Sequence, residues 1–559
     1  MTLATNPTEF DPIRIEVFKN LFSACAEEMG VVLQRASYSP NIKERRDFSC
    51  AIFNASGKMI AQAAHIPVHL GSMPLSVEAA INAFAGGDQA QDASPALQQG
   101  DMILLNDPYQ GGTHLPDITL VTPVFIADGK EAVRLIGFVA SRAHHADIGG
   151  MAPGSMAIAR EIYQEGLIIP PIHLYRAGEL NRDVLKLVLA NVRTSEERLG
   201  DLMAQVAANR RGVSRLEELI HRYGINEVQQ SMELLLEYSE RMTRALLRRL
   251  PDGRYRFTDY LDDDGISSEA IPISVEVVIQ DDEAIVDFTG SAGQVEGSLN
   301  AVYAITLSAV YYVFRCLVGL DIPNNSGCLA PIRVVAPPGT VVNAQRPASV
   351  AGGNVETSQR IVDVLLGALA QATAANPESP ILVPAASQGT MNNITIGGWD
   401  PFRNTAFTYY ETIGGGMGAL PNAHGASAVH SHMTNTLNTP VEALEYAFPL
   451  RVLRYQIRRG SGGRGEFHGG DGIRREIQVL TDCQLSLISD RRRTRPYGLN
   501  GGEDGLSGEN LLIRAGVVQR LPGKGTFNLC AGDIVCIHTP GGGGYGKEKP
   551  PEIRESNQG

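Results

Sequence analysis

Two β-rich runs, ITLVTPVFI and AVRLIGFVAS, flank the turn string ADGK (Ala127 to Lys130), and this pairing constrains the chain more than any other feature. Runs rich in Val, Ile, Phe and Thr on either side of a short Asp-Gly turn form an antiparallel hairpin. Folding about ADGK predicts Asp117 opposite roughly Ala140. It also brings the residues just outside the runs to one end, with His114 on one side and His144 and His145 on the other. The string NDPYQGGTHLPD adds Asp107 and Asp117 around a Gly-Gly turn, and SRAHHADIGG adds Asp147. Asp47 sits at the open end of a neighbouring hairpin read from DFSCAIFN, ASGK and MIAQAA.

Imidazole and carboxylate donors without thiolate suit Mn²⁺, Fe²⁺ or Zn²⁺, and the general affinity order does not choose among them. A metal so held lowers the pKa of water from about 15.7 to about 7, or polarises a carbonyl or phosphoryl oxygen. The competing reading is structural: Asp residues near Gly and Pro cap turns, and a His at a strand end is often simply hydrogen-bonded.

Elsewhere, apolar residues at helical spacing (Ile13, Val17, Leu21, Cys25, Met29, Leu33) predict one helix from Pro12 to Ala36. A second helix is read over Gly71 to Ala85. Leu185 to Leu250 reads as two long helices broken near Tyr223-Gly224-Ile225-Asn226, and further helical patches run from Asn300 to Leu317 and from Glu356 to Ala374. Strands are expected at RYRFTDYL and ISVEVVIQDDEAIVDFTG, and after about Pro377 the text turns Gly-rich with short β-like runs. The expectation is an α+β, multi-layer fold: hairpins carry the metal site, a long helical pair fills the middle, and a Gly-rich β-containing region ends the chain. Its divisions are placed at 1–255, 256–377 and 378–559.

The formal charge of −13, from 61 acidic and 48 basic residues, disfavours a general nucleic-acid binder. No window approaches the roughly 20 uninterrupted apolar residues that span a bilayer, so no membrane partner is expected. The seven cysteines lack CxxC pairing, which suggests neither a disulfide framework nor a thiolate zinc site and fits a reducing cytoplasm. The leader MTLATNPTEFDPIRIEV has no signal-peptide pattern.

Three further groupings have both a functional and a structural reading. PNAHGASAVHSHMTNTLNTPVEALE holds His424, His430, His432, Asn435 and Glu442, either a second metal or proton-relay site or a polar loop before a helix that begins near Thr439-Pro440. The Gly-rich strings AGGNVETSQR, IGGGMGAL, RGSGGRGEFHGGDG and GGGGYG match neither a phosphate loop nor a dinucleotide fingerprint. AGGNVETSQR does precede a helix whose free N–H groups could hold an anion, against the alternative of a close-packed turn. SDRRRTRP offers Arg491, Arg492, Arg493 and Arg495 as a two-point clamp for carboxylate or phosphate, or as a structural turn. No GxSxG nucleophile motif is present.

NIKERRDFSCAIF, HIPVHLGSMP, GDMILLNDPYQGGTHLPDITLVTPVF, AHHADIGGMAPGS, NVRTSEERLGDLMAQVAAN and TPGGGGYG together resemble the hydantoinase B/5-oxoprolinase family over nearly the whole chain. The resemblance implies a B-type subunit that holds a divalent metal and works with an A-type partner that uses ATP. Carried over residue by residue, it implies His114, Asp117 and His144 as metal ligands with Asp47 as the fourth. It leaves His145 and Asp147 to orient a ligand ring or act on water. The implied reaction is ATP-dependent opening of a cyclic amide such as a hydantoin, 5-oxoproline or a lactam. Some ketone carboxylase subunits carry GHQND-like text where this chain has THLPD, which favours the hydrolase. The alternatives are a subunit of an ATP-dependent ketone carboxylase and a non-catalytic scaffold subunit.

Overall fold

A computed structural model describes residues 11–63, 65–84, 96–128, 132–319, 322–374 and 381–548. The first ten residues, the tip of the ADGK turn, Ala85 and the division near Pro377 lie outside the described residues. Among the described residues the fold is mixed α+β, built on four sheets.

The site-bearing sheet has seven strands in the order Met59–Gln62, Phe48–Asn54, Ala132–His144, Asp117–Asp128, Met102–Leu105, Ile172–Arg176 and Glu179–Leu180, all paired antiparallel. Its central hairpin is the one that the β-branched runs predict, but in a different register. Asp117 pairs with His144 rather than with Ala140, because the strands extend to Asp128 and resume at Ala132, which moves the turn towards the C-terminus, and because a bulge between Val124 and Phe125 shifts the partner by one residue more. The correction strengthens the convergence: strand partners, not loop neighbours, bring Asp117 and His144 together.

Helix Pro12–Ala36 starts behind Asp11, whose side chain accepts the Ile13 N–H, and runs its expected length. It packs with Ser195–Tyr223 and Ile225–Leu247 on one face of the sheet, around Phe22, Met29, Ile52, Val139 and Leu216. Gly224, at φ +85°, is the break between those two long helices. The helical text before them divides once more, giving a separate helix Arg182–Ala190. Helix Ser72–Ala83 covers the other face through Met73, Val77 and Ala80.

A second sheet (Ile332–Val335, Glu283–Asp287, Ile271–Gln280, Gly253–Leu261) alternates buried and less buried residues along Ile271–Gln280 and carries helix Ser358–Ala374 on its buried face. Two more sheets form the Gly-rich C-terminal region. The largest core cluster runs from Leu104 and Ile118 through Ile273 and Val364 to Tyr410, Met433 and Ile488, joining the site-bearing sheet to both later regions. All seven cysteines are unpaired, and no described helix is long and apolar enough to cross a membrane.

Candidate metal centre

The loop between Met102–Leu105 and Asp117–Asp128 is held from several sides. Asp107 caps a short helical turn, Pro108–Gln110, accepting the Tyr109 N–H at 3.0 Å, and also pairs with Arg346. It therefore braces the loop. Gly111 adopts φ +83° where a Cβ would stand 2.3 Å from the Leu75 carbonyl oxygen, so the chain can approach helix Ser72–Ala83 only with glycine here. Buried Arg142 reaches the same place, donating to Thr119 Oγ1 at 2.8 Å, to the hydroxyls of Ser72 and Ser76, and to the Gly111 carbonyl. Burial pushes this guanidinium down to about 10, against the opposing pull of Asp117. The Asp117 N–H then bonds the His114 carbonyl at 3.1 Å, a turn that folds His114 over Asp117.

The result is a triangle. His114 Nε2 lies 3.2 Å from Asp117 Oδ1, His144 Nδ1 lies 3.3 Å from the same oxygen, and the two ring nitrogens are 3.2 Å apart. Donors held about 2.1 Å from one ion are separated by about 3.0 Å at right angles and about 3.4 Å at the tetrahedral angle. The observed edges lie in that interval. His114, Asp117 and His144 are all buried, and they are the one group of three such mutually close donors among the described residues. Two imidazole nitrogens and a carboxylate oxygen therefore fit a divalent ion in number, type and spacing.

Protonation suits the same purpose. Burial, opposed by Asp117 and Asp47, keeps His144 below its ordinary pKa and so neutral near pH 7. Burial pushes the Asp117 carboxyl up, but His114, His69 and hydrogen bonds from His114 and His144 outweigh it and hold the group well below the usual range. A neutral imidazole and an ionised carboxylate are the ligating forms.

The other expected residues divide around this centre. Asp47 lies beside the trio rather than within it: its carbonyl accepts the His144 N–H at 3.0 Å, and its carboxylate is 3.8 Å from Arg45 Nη2. Burial raises its pKa against the pull of His144 and Arg45. His145 turns away, with Nε2 2.9 Å from Gln205 Oε1. Gln205 donates to the Ile118 and Ser141 carbonyls, which fixes its oxygen towards His145, so His145 carries its hydrogen on Nε2 and leaves a buried lone pair on Nδ1. Burial pushes this ring down to about 4. Asp147 is engaged elsewhere, accepting the N–H groups of Gly149, Gly154 and Arg193 and pairing with the Arg193 guanidinium at 2.8 Å.

Sequence reasoning passed over four neighbours. His69 Nε2 is 3.3 Å from Asp117 Oδ2, and its string, HIPVHLGSMP, was a visible signal. Asn354 Nδ2 lies 3.1 Å from His114 Nε2, delivered by the π-helical turn Gly353–Thr357 that AGGNVETSQR forms. Tyr410 stacks on His144 with ring centroids 4.1 Å apart, and Arg45 lies 5.0 Å from the Tyr410 centroid. Arg45 lies in the string NIKERRDFSCAIF, whereas nothing in the text around Tyr410 pointed to this role.

The remaining groupings resolve structurally. At AGGNVETSQR the anion is the chain's own: Glu165 accepts the N–H groups of Val350 and Ala351 at 2.8 Å, and burial raises its pKa to about 7. In SDRRRTRP, Arg491 and Arg492 are buried and taken up internally, whereas Arg493 and Arg495 are exposed. Arg491 pairs with Asp259 and Asp363, Arg492 bonds Asn392 and Asn510, and Arg493 donates to the carbonyls of Asp262 and Ser268. His424 stacks on His468, whereas His432 is buried against Tyr312 and Asn435 donates to the His65 carbonyl. The later glycine strings pack backbone to backbone; a Cβ on Gly416 would stand 1.9 Å from the Gly470 carbonyl oxygen.

Residues 11–548 match the hydantoinase B/oxoprolinase family. A protein of Methanocaldococcus jannaschii is 44% identical over 97% of this chain and 92% of its own length. A Dictyostelium discoideum 5-oxoprolinase is 39% identical over 97% of this chain, which spans only 41% of that larger protein. A Pseudomonas protein named for the B-type subunit of a D-/L-hydantoinase is 34% identical, with 98% of this chain and 92% of that one covered. Among solved structures, the ATP-dependent caprolactamase of Pseudomonas jessenii superposes with a TM-score of 0.86 at 31% identity, covering 96% of this chain and 91% of that one. An acetone carboxylase shares the fold, with a TM-score of 0.86 at 20% identity over 96% and 76% of the two chains. The chain belongs to the hydantoinase B/oxoprolinase family.

Proposed function

We propose that this chain is the B-type subunit of an ATP-dependent cyclic-amide hydrolase, opening a ring that an A-type partner has activated with ATP. The observation that carries the reading is the buried triangle of His114, Asp117 and His144 with edges of 3.2 to 3.3 Å. It is supported by the likeness to an ATP-dependent caprolactamase and to a protein named for a hydantoinase of this type.

The chemistry requires two parts. An unstrained amide resists water because nitrogen donation makes its carbonyl a poor electrophile and its amine a poor leaving group. Phosphorylation of the amide oxygen by the partner removes that protection. A divalent ion held by the trio would supply Lewis acidity and make water a nucleophile near pH 7.

This chain's residues do the holding and positioning. His114 and His144 present ring nitrogens, Asp117 presents Oδ1, and Asp47, which lies beside the trio, would complete the set as the fourth ligand. Tyr410 fixes the plane of the His144 ring by stacking, and Asn354 brings an amide donor to the same point, where it can meet an oxygen of the reacting group. Among the two non-ligand candidates, His145 Nδ1 is left without a hydrogen-bond partner whereas Asp147 is fully engaged, so a proton-accepting role falls to His145 before Asp147. Burying the reacting atoms beside fixed donors makes the attack effectively unimolecular.

The reading is tested by reconstituting the chain with an A-type ATPase and screening hydantoins, 5-oxoproline and lactams. Release of a ring-opened amino acid without bicarbonate is expected. Turnover that requires bicarbonate and yields a carboxylated product would assign the chain to the ketone carboxylases. Unaltered activity of the pair after His114→Ala, with no bound metal, would leave only a scaffold.

A further inference from the structure

The two oxygens of Asp117 face different company. Oδ1 looks at His114 Nε2 and His144 Nδ1, at 3.2 and 3.3 Å. Oδ2 looks the other way, accepting from Thr113 Oγ1 at 2.6 Å and lying 3.3 Å from His69 Nε2. An ionised carboxylate only accepts, so His69 must carry a hydrogen on Nε2.

The other side of the His69 ring is equally determined. Its Nδ1 is 2.9 Å from Ser49 Oγ, and Gln62 Nε2 stands 3.5 Å from that same hydroxyl oxygen. An amide nitrogen only donates, which directs the hydroxyl proton of Ser49 towards His69 Nδ1. The hydrogen bonds therefore run in one direction, from Gln62 to Ser49 to His69 to Asp117. His69 is itself fixed at the end of the helical turn Pro67–His69, whose Val68 N–H bonds the Met433 carbonyl, and the ring is fully enclosed at 1% exposure.

We propose that His69 is a positioning residue that holds Asp117 by Oδ2, so that the carboxylate offers a divalent ion one oxygen, Oδ1, in a fixed direction. The inference rests on the metal reading above and adds the group that aims its only trio carboxylate. Without His69, Oδ2 keeps one anchor, Thr113, and the carboxylate is less restrained against rotation about its Cβ–Cγ bond. Loss of an outer hydrogen-bond partner of a ligand typically weakens metal binding by 10- to 100-fold.

The test is a titration of the full chain with Mn²⁺ alone, by competition with a chelating dye, together with the electron paramagnetic resonance spectrum of the bound ion. His69→Ala is expected to weaken binding about 10- to 100-fold and to change the line shape, because the carboxylate geometry changes. His69→Gln, whose Nε2 can donate from nearly the same place, is expected to recover most of both. Equal affinity for wild type and His69→Ala overturns the proposal, and so does an equal loss in the Ala and Gln variants. If His69→Ala fails to fold, Ser49→Ala decides: several-fold weakening is expected, and an unchanged titration overturns the chain of bonds. Failure of the wild type to bind Mn²⁺, Zn²⁺ or Fe²⁺ would remove the metal reading itself, an outcome distinct from a wild type that binds and a His69→Ala that binds equally.

Discussion

Gly111→Ala isolates how tightly the loop must approach its neighbour for the centre to form. At φ +83° an L side chain is strained by about 1–2 kcal/mol. The added Cβ would also stand 2.3 Å from the Leu75 oxygen, 2.5 Å from the Leu75 carbonyl carbon and 2.8 Å from the Ser76 nitrogen. These are backbone atoms of helix Ser72–Ala83, which cannot swing aside as a side chain would. Ordinary contact begins near 3.4 Å, so loop and helix must part by about 1 Å. That displacement pulls the Gly111 carbonyl from the Ser76 hydroxyl, 2.6 Å away, and moves Thr113 and His114 with it. The control is Gly178→Ala, which has the same strain at φ +85° but nothing within 4 Å. Denaturant unfolding should show a loss of about 1–2 kcal/mol for Gly178→Ala and about 2–4 kcal/mol for Gly111→Ala. Metal affinity should fall at least about tenfold only in the latter, since a misplacement near 1 Å is enough to disable a site. Equal stability losses with unchanged metal affinity in both variants would refute the reasoning.

Two further outcomes can be stated from the buried charges. Burial and the nearby Asp490 raise the Glu356 carboxyl to about 8. Its stabilising contribution is therefore complete below about pH 4.5 and lost as pH rises through about 8, because the unfolded chain releases the proton first. Glu356→Gln should flatten that decline, leaving the variant roughly 3–5 kcal/mol ahead of wild type in pH dependence between pH 5 and 8.5, and parallel stability curves would contradict it. Arg475 Nη2 lies 2.9 Å from Glu411 Oε2 with both side chains fully buried, so Arg475→Leu should lose about 3–5 kcal/mol by stranding the carboxylate. Adding Glu411→Leu should restore much of that loss in a double-mutant cycle, and additive losses would rule out the stranded-charge explanation.

The sequence was most legible where periodicity and turn chemistry act locally. Helix Pro12–Ala36, the break at Gly224 and the hairpin that carries Asp117 follow from residue spacing and glycine alone. Register was less legible, since it depends on how far the strands continue past Ala127 and on a bulge between Val124 and Phe125, which together placed His144 rather than Ala140 opposite Asp117. Within the site, His114, Asp117 and His144 could be gathered because a hairpin returns them to one end. Tyr410 and Asn354 could not, because they arrive from a different sheet and from a π-helical turn hundreds of residues later. The arginines of SDRRRTRP misled for a related reason. Their partners are distant in the chain: only tertiary packing pairs Arg491 with Asp259 and Asp363 and brings the Arg492 N–H to the Asp262 carboxylate.

Elemental analysis of the purified chain, after incubation with Mn²⁺, Zn²⁺ or Fe²⁺ and removal of free ion, tests the central claim most directly. The account predicts about one divalent ion per chain, with loss of the ion in folded His114→Ala and His144→Ala variants. A wild-type chain that retains no ion, or variants that retain it undiminished, would contradict it.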